Sequence, residues 1–550
     1  ISIQYKKRKT GKFSHQHIVV PMLNKLDNFY VKVLNWSLKH KKVIVIGSFA
    51  IFITSMVVAK YLKTDFIPQA DEGRISAEIQ LQPGIRVNET VKIARKIEDF
   101  INAEVPEKQI ISISSGANDQ GGFLALFQNS GSNIINITMR LSDKTQRKRS
   151  SNDIADLIRK YLAEIPEIVK FKVNTTSRGM RSAGGGNTVD VNIYGYDFNQ
   201  TTTIANDLAE RIKKINGARD VTISREDPKP ELRIILDKEK MARMGLNTAT
   251  LSALVRNRVY GYTASTYREE GNEYNIVVKF DDKFKTSFSD IENIGILTPS
   301  GVVRLGDVGK IEQHWAPPTI QRQRRERIVT ISTTPYKISL GELANKIQAE
   351  VDKTNKPSNV IIDVGGSYQD LKESFSDLAL LLVLSLILVY IVMASQFESL
   401  KMPLIIMISV PFAFTGVILA LLITKTTLSV IAALGAIMLI GIVVKNAIVM
   451  VDFTNLMRER GYELDDAIKL AGRSRLRPIL MTTITTILGM LPLALSTGEG
   501  SEIWSPMGIS VIGGLTFSTI ITLIIVPVAY RIVVKRSYKK IDKELVEVIA

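Results

Sequence analysis

The stretch LIGIVVKNAIVMVDF, Leu439 to Phe453, sets one lysine, Lys445, in the middle of a run otherwise composed for hydrocarbon. The apolar run extends from Leu428 to Val451. Five others match it in length: Val43 to Ala59, Leu378 to Ala394, Met402 to Ile423, Pro478 to Leu495 and Pro506 to Tyr530. A hydrocarbon layer about 30 Å thick takes about 20 helical residues to cross. The 550-residue chain is therefore expected to be a polytopic α-helical membrane bundle with six transmembrane helices, one at 43–62 and five over 376–531. The mostly polar stretch between the first two helices, about 310 residues, is too long for a loop and sized for two or three subdomains.

Charge placement gives the orientation. The net charge is +17, and Lys and Arg crowd residues 1–42, where Asp27 is the single acid. The segments NLMRERGYELDDAIKLAGRSRLR and RIVVKRSYKK are basic as well. With six alternating crossings all three fall on one side, and positive flanks face the cytoplasm. Both ends are then inside, including the tail 532–550, and the large polar block is outside. Topology accounts for the charge, so nucleic acid is not an expected partner. Zero cysteines exclude a disulfide framework and thiolate metal sites. PMLNKLDNFYVKVLNWSLKH spaces Leu23, Leu26, Phe29, Tyr30, Val33, Leu34 and Leu38 as one helical face, so 1–42 reads as a segment lying on the membrane surface. It does not read as a natural start, and a preceding segment is expected.

In the polar block, strand, turn and amphipathic helix recur. They are read in RISAEIQLQPGIRVNETVKIARKIEDFI, with the helix opening near Asn88 or Glu89, then at 187–215 and again at 327–351. A further helix starts with a capping serine at 150 or 151. These pieces point to ferredoxin-like βαβ subdomains in an α+β region: one at 63–186, a second from 187–228 and 317–368. The second is interrupted by an α+β insert at 229–316 with strands, hairpins and one helix. The Gly-rich stretch 117–133 holds Phe123, Leu124, Leu126 and Phe127. It is either a hairpin with a few buried apolar residues or a mobile loop beside an apolar pocket.

Other clusters carry less. Asp65, Asp71 and Glu72 sit in a turn without a nearby histidine and are read as structural. QRQRRER at 321–327 alternates like a solvated face. No nucleophile–base pair, metal-ligand set or GK[ST] loop is visible, so no enzyme activity, cofactor or nucleotide-driven motor is expected. A lysine at a helix centre costs roughly 2.5–3.5 kcal/mol to insert and calls for a carboxylate partner facing the bundle interior. Asp452 lies on the same helix, about 10 Å further along the axis. No other run has an acid at its middle, so the partner is expected from another segment or chain. The next helix adds Thr482, Thr483, Thr485 and Thr486, with Arg475 and Arg477 at its mouth. Such hydroxyls either bond their own backbone or serve a relay.

DFIPQADEG, LQPG, PELRIILDKEKMARMGL, QFESLKMPLIIMISVPFAF, MLIGIVVKNAIVMVDF, RLRPILMTTITTILGMLPLAL and GISVIGGLTFSTIITLIIVPV, in this order, resemble the C-terminal half of a resistance-nodulation-division (RND) efflux pump. The resemblance is to the hydrophobe and amphiphile type and spans essentially the whole chain. It implies a proton-driven inner-membrane exporter of amphiphilic compounds, homotrimeric, working with a periplasmic adaptor and an outer-membrane channel, its porter subdomains periplasmic and its insert a docking element. It also implies roles. Lys445 would switch its pairing with two aspartates on a helix of the N-terminal half. Thr482 and Arg475 would complete the network, with Asn446 and Asp452 as neighbours, and Phe123, Leu126 and Phe127 would touch substrate. Metal-exporting relatives use porter methionines, for which Met139 and Met180 are too few. A non-transporting accessory factor for protein or lipid translocation would share the βαβ units and helices but not the insert.

Overall fold

A computed structural model describes residues 15–68, 70–116, 131–175, 187–225, 228–298, 301–316 and 319–534. Phe123, Leu126 and Phe127, and Met180, lie outside the described residues.

Within the segment 1–42 the chain forms helix α1 (His15–Lys39). Its buried stripe is Asp27, Tyr30, Leu34, Ser37 and Leu38, while Leu26 and Phe29, expected on the same face, are exposed. Helix α2 (Lys41–Val58) follows, apolar and mostly exposed.

Next comes a unit of strand β1 (Arg74–Leu81), helix α3 (Val87–Glu104), strands β2 (Lys108–Gly116) and β3 (Gly131–Leu141), helix α4 (Ser151–Ala163) and strand β4 (Ile168–Asn174). β1 buries alternate residues, Ile75, Ala77, Ile79 and Leu81, as a strand with one covered face must. α3 buries Ile93, Ala94, Ile97 and Ile101 on the same sheet, against β2 and β3. α4 starts at a reciprocal cap in which Ser150 accepts from the Asp153 backbone and Asp153 accepts from the Ser150 backbone. The strands pair antiparallel in the order β2-β3-β1-β4.

A second set follows: β5 (Val189–Tyr194), α5 (Phe198–Lys213), β6 (Ala218–Ile223), β7 (Glu326–Pro335), α6 (Leu340–Asp352) and β8 (Ile361–Gly366). Its order is β6-β7-β5-β8, again antiparallel throughout. The three repeats heard in the sequence are thus parts of two six-element units with one topology. The repeats at 187–215 and 327–351 are the two halves of the second unit, divided between β6 and β7. Residues 321–327 form a tight exposed hairpin, Arg322–Gln323 against Glu326–Arg327, turned by Arg324 and Arg325 in left-handed conformation. A solvated face is what it presents.

Residues 82–86 and 225–321 form a separate compact unit. Lys229–Leu236 pairs with Gly309–Ala316, and Met241, Leu251, Ile294, Ile296, Leu305 and Val308 make a small core. Where one helix was expected there are two of length, Lys238–Arg243 and Thr248–Val259, with short turns at Phe288–Glu292 and Leu305–Val308. Gly245, at φ +67, takes a conformation that favours glycine and separates the first pair. Asp237 and Asn247 cap the two starts. The hairpin of Tyr262–Glu269 and Asn272–Val278 is exposed along its whole length.

The remaining chain is α7 (Ser367–Gln396), α8 (Lys401–Met407), α9 (Val410–Thr424), α10 (Val430–Glu459), α11 (Leu464–Ala494) and α12 (Ser501–Val533). With α8 and α9 together making one span, six helical spans among the described residues are long and apolar enough to cross a membrane. α9, α10 and α12 are the best buried, and α2, α7 and α11 lie around them. Bare glycines let α9 and α12 touch: a Cβ on Gly416 would sit 2.5 Å from the Gly513 carbonyl oxygen. At the far end Arg477 donates to Asp27 (2.6 Å) and to Asn24 (2.8 Å), and the Tyr30 hydroxyl donates to the Leu523 carbonyl (2.9 Å). These bonds fasten α1 to α11 and α12.

Two of the turn carboxylates, Asp65 and Asp71, are held by hydrogen bonds that tie the turn to neighbouring elements. Asp65 accepts from the Leu340 backbone N–H at the start of α6 (2.9 Å). Burial pushes the Asp71 carboxyl up, but hydrogen bonds from Arg147, Ser151 and the Gly73 backbone outweigh it and hold it down at about 2.

Candidate functional site in the membrane helices

Lys445 stands near the middle of α10, about 22 Å from its start. Ser429 opens that helix by accepting from the Ala432 N–H (3.2 Å). One face of α10 is packed by Leu439, Ile440, Val443, Val444, Ala447, Met450 and Val451. The opposite face, with Leu434, Met438, Gly441, Lys445, Asp452 and Leu456, is exposed on this bundle. No ion pair joins Lys445 to any described residue.

The contact between α10 and α11 fixes how the other residues stand. Asn446 is buried and donates through Nδ2 to the Thr483 hydroxyl (3.4 Å), which lies 3.3 Å from the Thr519 hydroxyl of α12. Three helices therefore share one buried polar chain beside Lys445. Helical residues turn by about 100° each. With Asn446 and Thr483 facing each other across an antiparallel pair, Lys445 and Thr482, each one position earlier, emerge on the same side. Asp452 and Arg475 come out there as well. The arrangement is one open side carrying a lysine, a carboxylate, a hydroxyl and a guanidinium.

The hydroxyls and the guanidinium have defined local holds. The Thr482 hydroxyl donates to the Ile479 carbonyl (2.9 Å), Thr485 to Met481 (2.8 Å) and Thr486 to Thr482 (2.9 Å). Of the four threonines, only Thr483 reaches across helices, so the backbone-bonding reading holds for three of them. The Arg475 guanidinium carbon lies 4.3 Å from the Phe453 ring centroid, a cation–π stack, and its buried Nε has no hydrogen-bond partner among the described residues. Arg477 does not join this group, since Asp27 and Asn24 take it.

Two contributors were not singled out from the sequence. Thr519 belongs to GLTFSTIITL, whose hydroxyls recur at helical spacing and were the available signal. Phe453 was hidden because an aromatic in an apolar helix looks the same whether it packs or stacks a cation. Met139 is 1% exposed inside β3, a core residue. Among the described residues no group of His, Cys, Asp and Glu is placed to hold a metal ion.

Comparison with known proteins places this architecture. The cobalt-zinc-cadmium resistance protein CzcA of Cupriavidus metallidurans is 28% identical over 517 residues, covering 92% of this chain and 48% of that protein. The swarming motility protein SwrC of Bacillus subtilis is 28% identical over 519 residues, 94% of this chain and 48% of that one. A multidrug resistance protein MdtC of Escherichia coli is 29% identical over 529 residues, 92% and 49%. The crystal structure of a heavy metal efflux pump superposes with a TM-score of 0.76 at 25% identity, covering 93% of this chain and 52% of the other. The chain spans about half the length of the curated relatives it matches. The family model described as AcrB/AcrD/AcrF matches residues 3–534. The chain belongs to the AcrB/AcrD/AcrF family, inner-membrane subunits of RND efflux pumps.

Proposed function

We propose that the chain is the C-terminal part of a proton-driven exporter in the inner membrane of a Gram-negative-type envelope, with Lys445 as its ion-pair switch. The observation that carries this is the open side of α10 and α11, where Lys445, Thr482, Asp452 and Arg475 stand together with no ion pair to Lys445 among the described residues. A mid-membrane lysine at such a face calls for carboxylates from a facing helix. These would come from the part of the relatives' length that this chain does not span, on the same polypeptide or another. Protonating such carboxylates releases the lysine, and the Asn446–Thr483–Thr519 chain passes the rearrangement to α12. A charge moved through 100 mV supplies about 2.3 kcal/mol toward that change.

In this reading the two six-element units are ferredoxin-like porter subdomains in the periplasm. The unit of 225–321 is a docking element toward an adaptor and an outer-membrane channel, and the working assembly is a homotrimer. Amphiphilic or hydrophobic compounds are the cargo, with Phe123, Leu126 and Phe127 as the substrate-contacting residues. Metal-ion cargo is the second reading, favoured by the cobalt-zinc-cadmium relative. Cells carrying the complete pump separate the two: resistance to cationic dyes and detergents without resistance to zinc or cobalt supports the first, the converse the second. Lys445→Met is expected to abolish resistance at unchanged expression. Full resistance in that variant overturns the switch.

A further inference from the structure

We propose that a cavity of about 410 Å³ beside the first turn of α12 binds the primary ammonium group of a membrane amphiphile. Asp65, Asn187, Lys337, Thr427, Glu502 and Ser505 are among the residues lining it. Asp65 follows α2, Thr427 lies between α9 and α10, and Glu502 and Ser505 open α12, so the cavity sits where four membrane helices have an end on one side. That is the level at which hydrocarbon gives way to headgroups. The volume falls within the range of about 300–1,000 Å³ common for small-molecule sites.

The lining selects the sign of the ligand. One carboxylate oxygen of Glu502 is taken by Lys144, and the other, Oε2, is buried with no hydrogen-bond partner among the described residues. Asn187 Oδ1 is in the same condition. An amide can present either edge, but a carboxylate oxygen only accepts, so Glu502 calls for a donor. The neighbouring Ser505 hydroxyl is already engaged, and the Lys337 charge is drawn toward an aromatic ring. The Ser505 hydroxyl donates to the Ala494 carbonyl (2.8 Å), and the Lys337 ammonium lies 5.0 Å from the Tyr336 ring centroid. Burial raises the Asp65 carboxyl above its ordinary value despite hydrogen bonds from Leu340 and Thr427 and the charge of Lys63, and a further cation would offset that. An R–NH3+ group brings three N–H donors and a charge, whereas a trimethylammonium brings the charge without donors. The site is therefore expected to tell ethanolamine from choline. Nothing in this depends on whether the chain takes part in export.

The test is native mass spectrometry of the full chain in detergent with added phosphatidylethanolamine, phosphatidylcholine or dodecylamine. Ethanolamine lipid is expected to be retained about tenfold better than choline lipid, the scale of a charge-assisted hydrogen bond. That preference is expected to vanish in Glu502→Gln and Asn187→Leu and to survive in Lys144→Met, which removes only the outer ion pair. Retention of ethanolamine lipid assigns the site to a lipid headgroup, and retention of dodecylamine alone assigns it to single-chain amines; both uphold the ammonium site. Equal retention of choline lipid, or wild-type retention in Asn187→Leu and in a folded Glu502→Gln, overturns it.

Discussion

Asp71→Asn tests how the chain leaving α2 is tied to the first six-element unit. The Asp71 carboxylate receives Arg147, whose side chain is 1% exposed, together with the hydroxyl and backbone N–H of Ser151 at the start of α4. The carboxyl stands at about 2 instead of 3.8, which corresponds to about 2–3 kcal/mol of preference for the charged folded form. The sign follows: the contribution is complete above pH 3.8 and is lost as pH falls toward about 2. Asparagine keeps the shape and can still accept from Ser151, but it leaves the Arg147 charge buried and unanswered, a change of similar or larger size. The assay is amide hydrogen exchange across 147–158 at neutral pH, where reclosing outruns exchange. Asp71→Asn is expected to lower protection there by about fifty-fold. A change under about threefold, below 1 kcal/mol, would refute the reasoning.

Two further outcomes follow from the membrane half. Gly416→Val puts a side chain into the Gly513 backbone, with Phe517 Cβ 2.7 Å from the new Cβ, and is expected to cost about 1–3 kcal/mol or more. Thermal unfolding of the detergent-solubilised chain should show a clear drop in Tm, and an unchanged value would mean that α9 and α12 do not cross so closely. Arg475→Lys keeps the charge but loses the planar stack on Phe453, worth about 0.5–1 kcal/mol or somewhat more when desolvated. Export by the complete pump should fall roughly two- to fivefold, whereas an undiminished rate would remove the stack from the site.

The membrane helices were legible in the sequence because a hydrocarbon layer imposes a length and a composition that local inspection measures directly. The strands and helices of the α/β region were legible for a similar reason, since periods of about two and 3.6 are local signals. What local inspection does not reveal is pairing. β6 and β7 are neighbours in a sheet although the whole unit of 225–321 is threaded between them; the composition places 187–228 and 317–368 in one subdomain, but neither this pairing nor the strand order is a local signal. Within the site, Lys445 announced itself by being charged among apolar residues. Thr483 and Thr519 did not, because a membrane threonine that bonds another helix has the same neighbours in sequence as one that bonds its own backbone. Arg475 and Arg477 look equivalent along the chain. Their separation, one onto Phe453 and one onto Asp27, depends on α1 docking from more than 400 residues away.

The central claim is that Lys445 couples proton movement to export, and reconstituted vesicles test it most directly. The complete pump, wild type or Lys445→Met, would be placed in proteoliposomes under an imposed pH gradient, with dye efflux and proton flux recorded together. Both fluxes are expected in the wild type and neither in Lys445→Met, with the variant assembled and folded as before. Gradient-driven efflux at the wild-type rate in Lys445→Met would contradict the account.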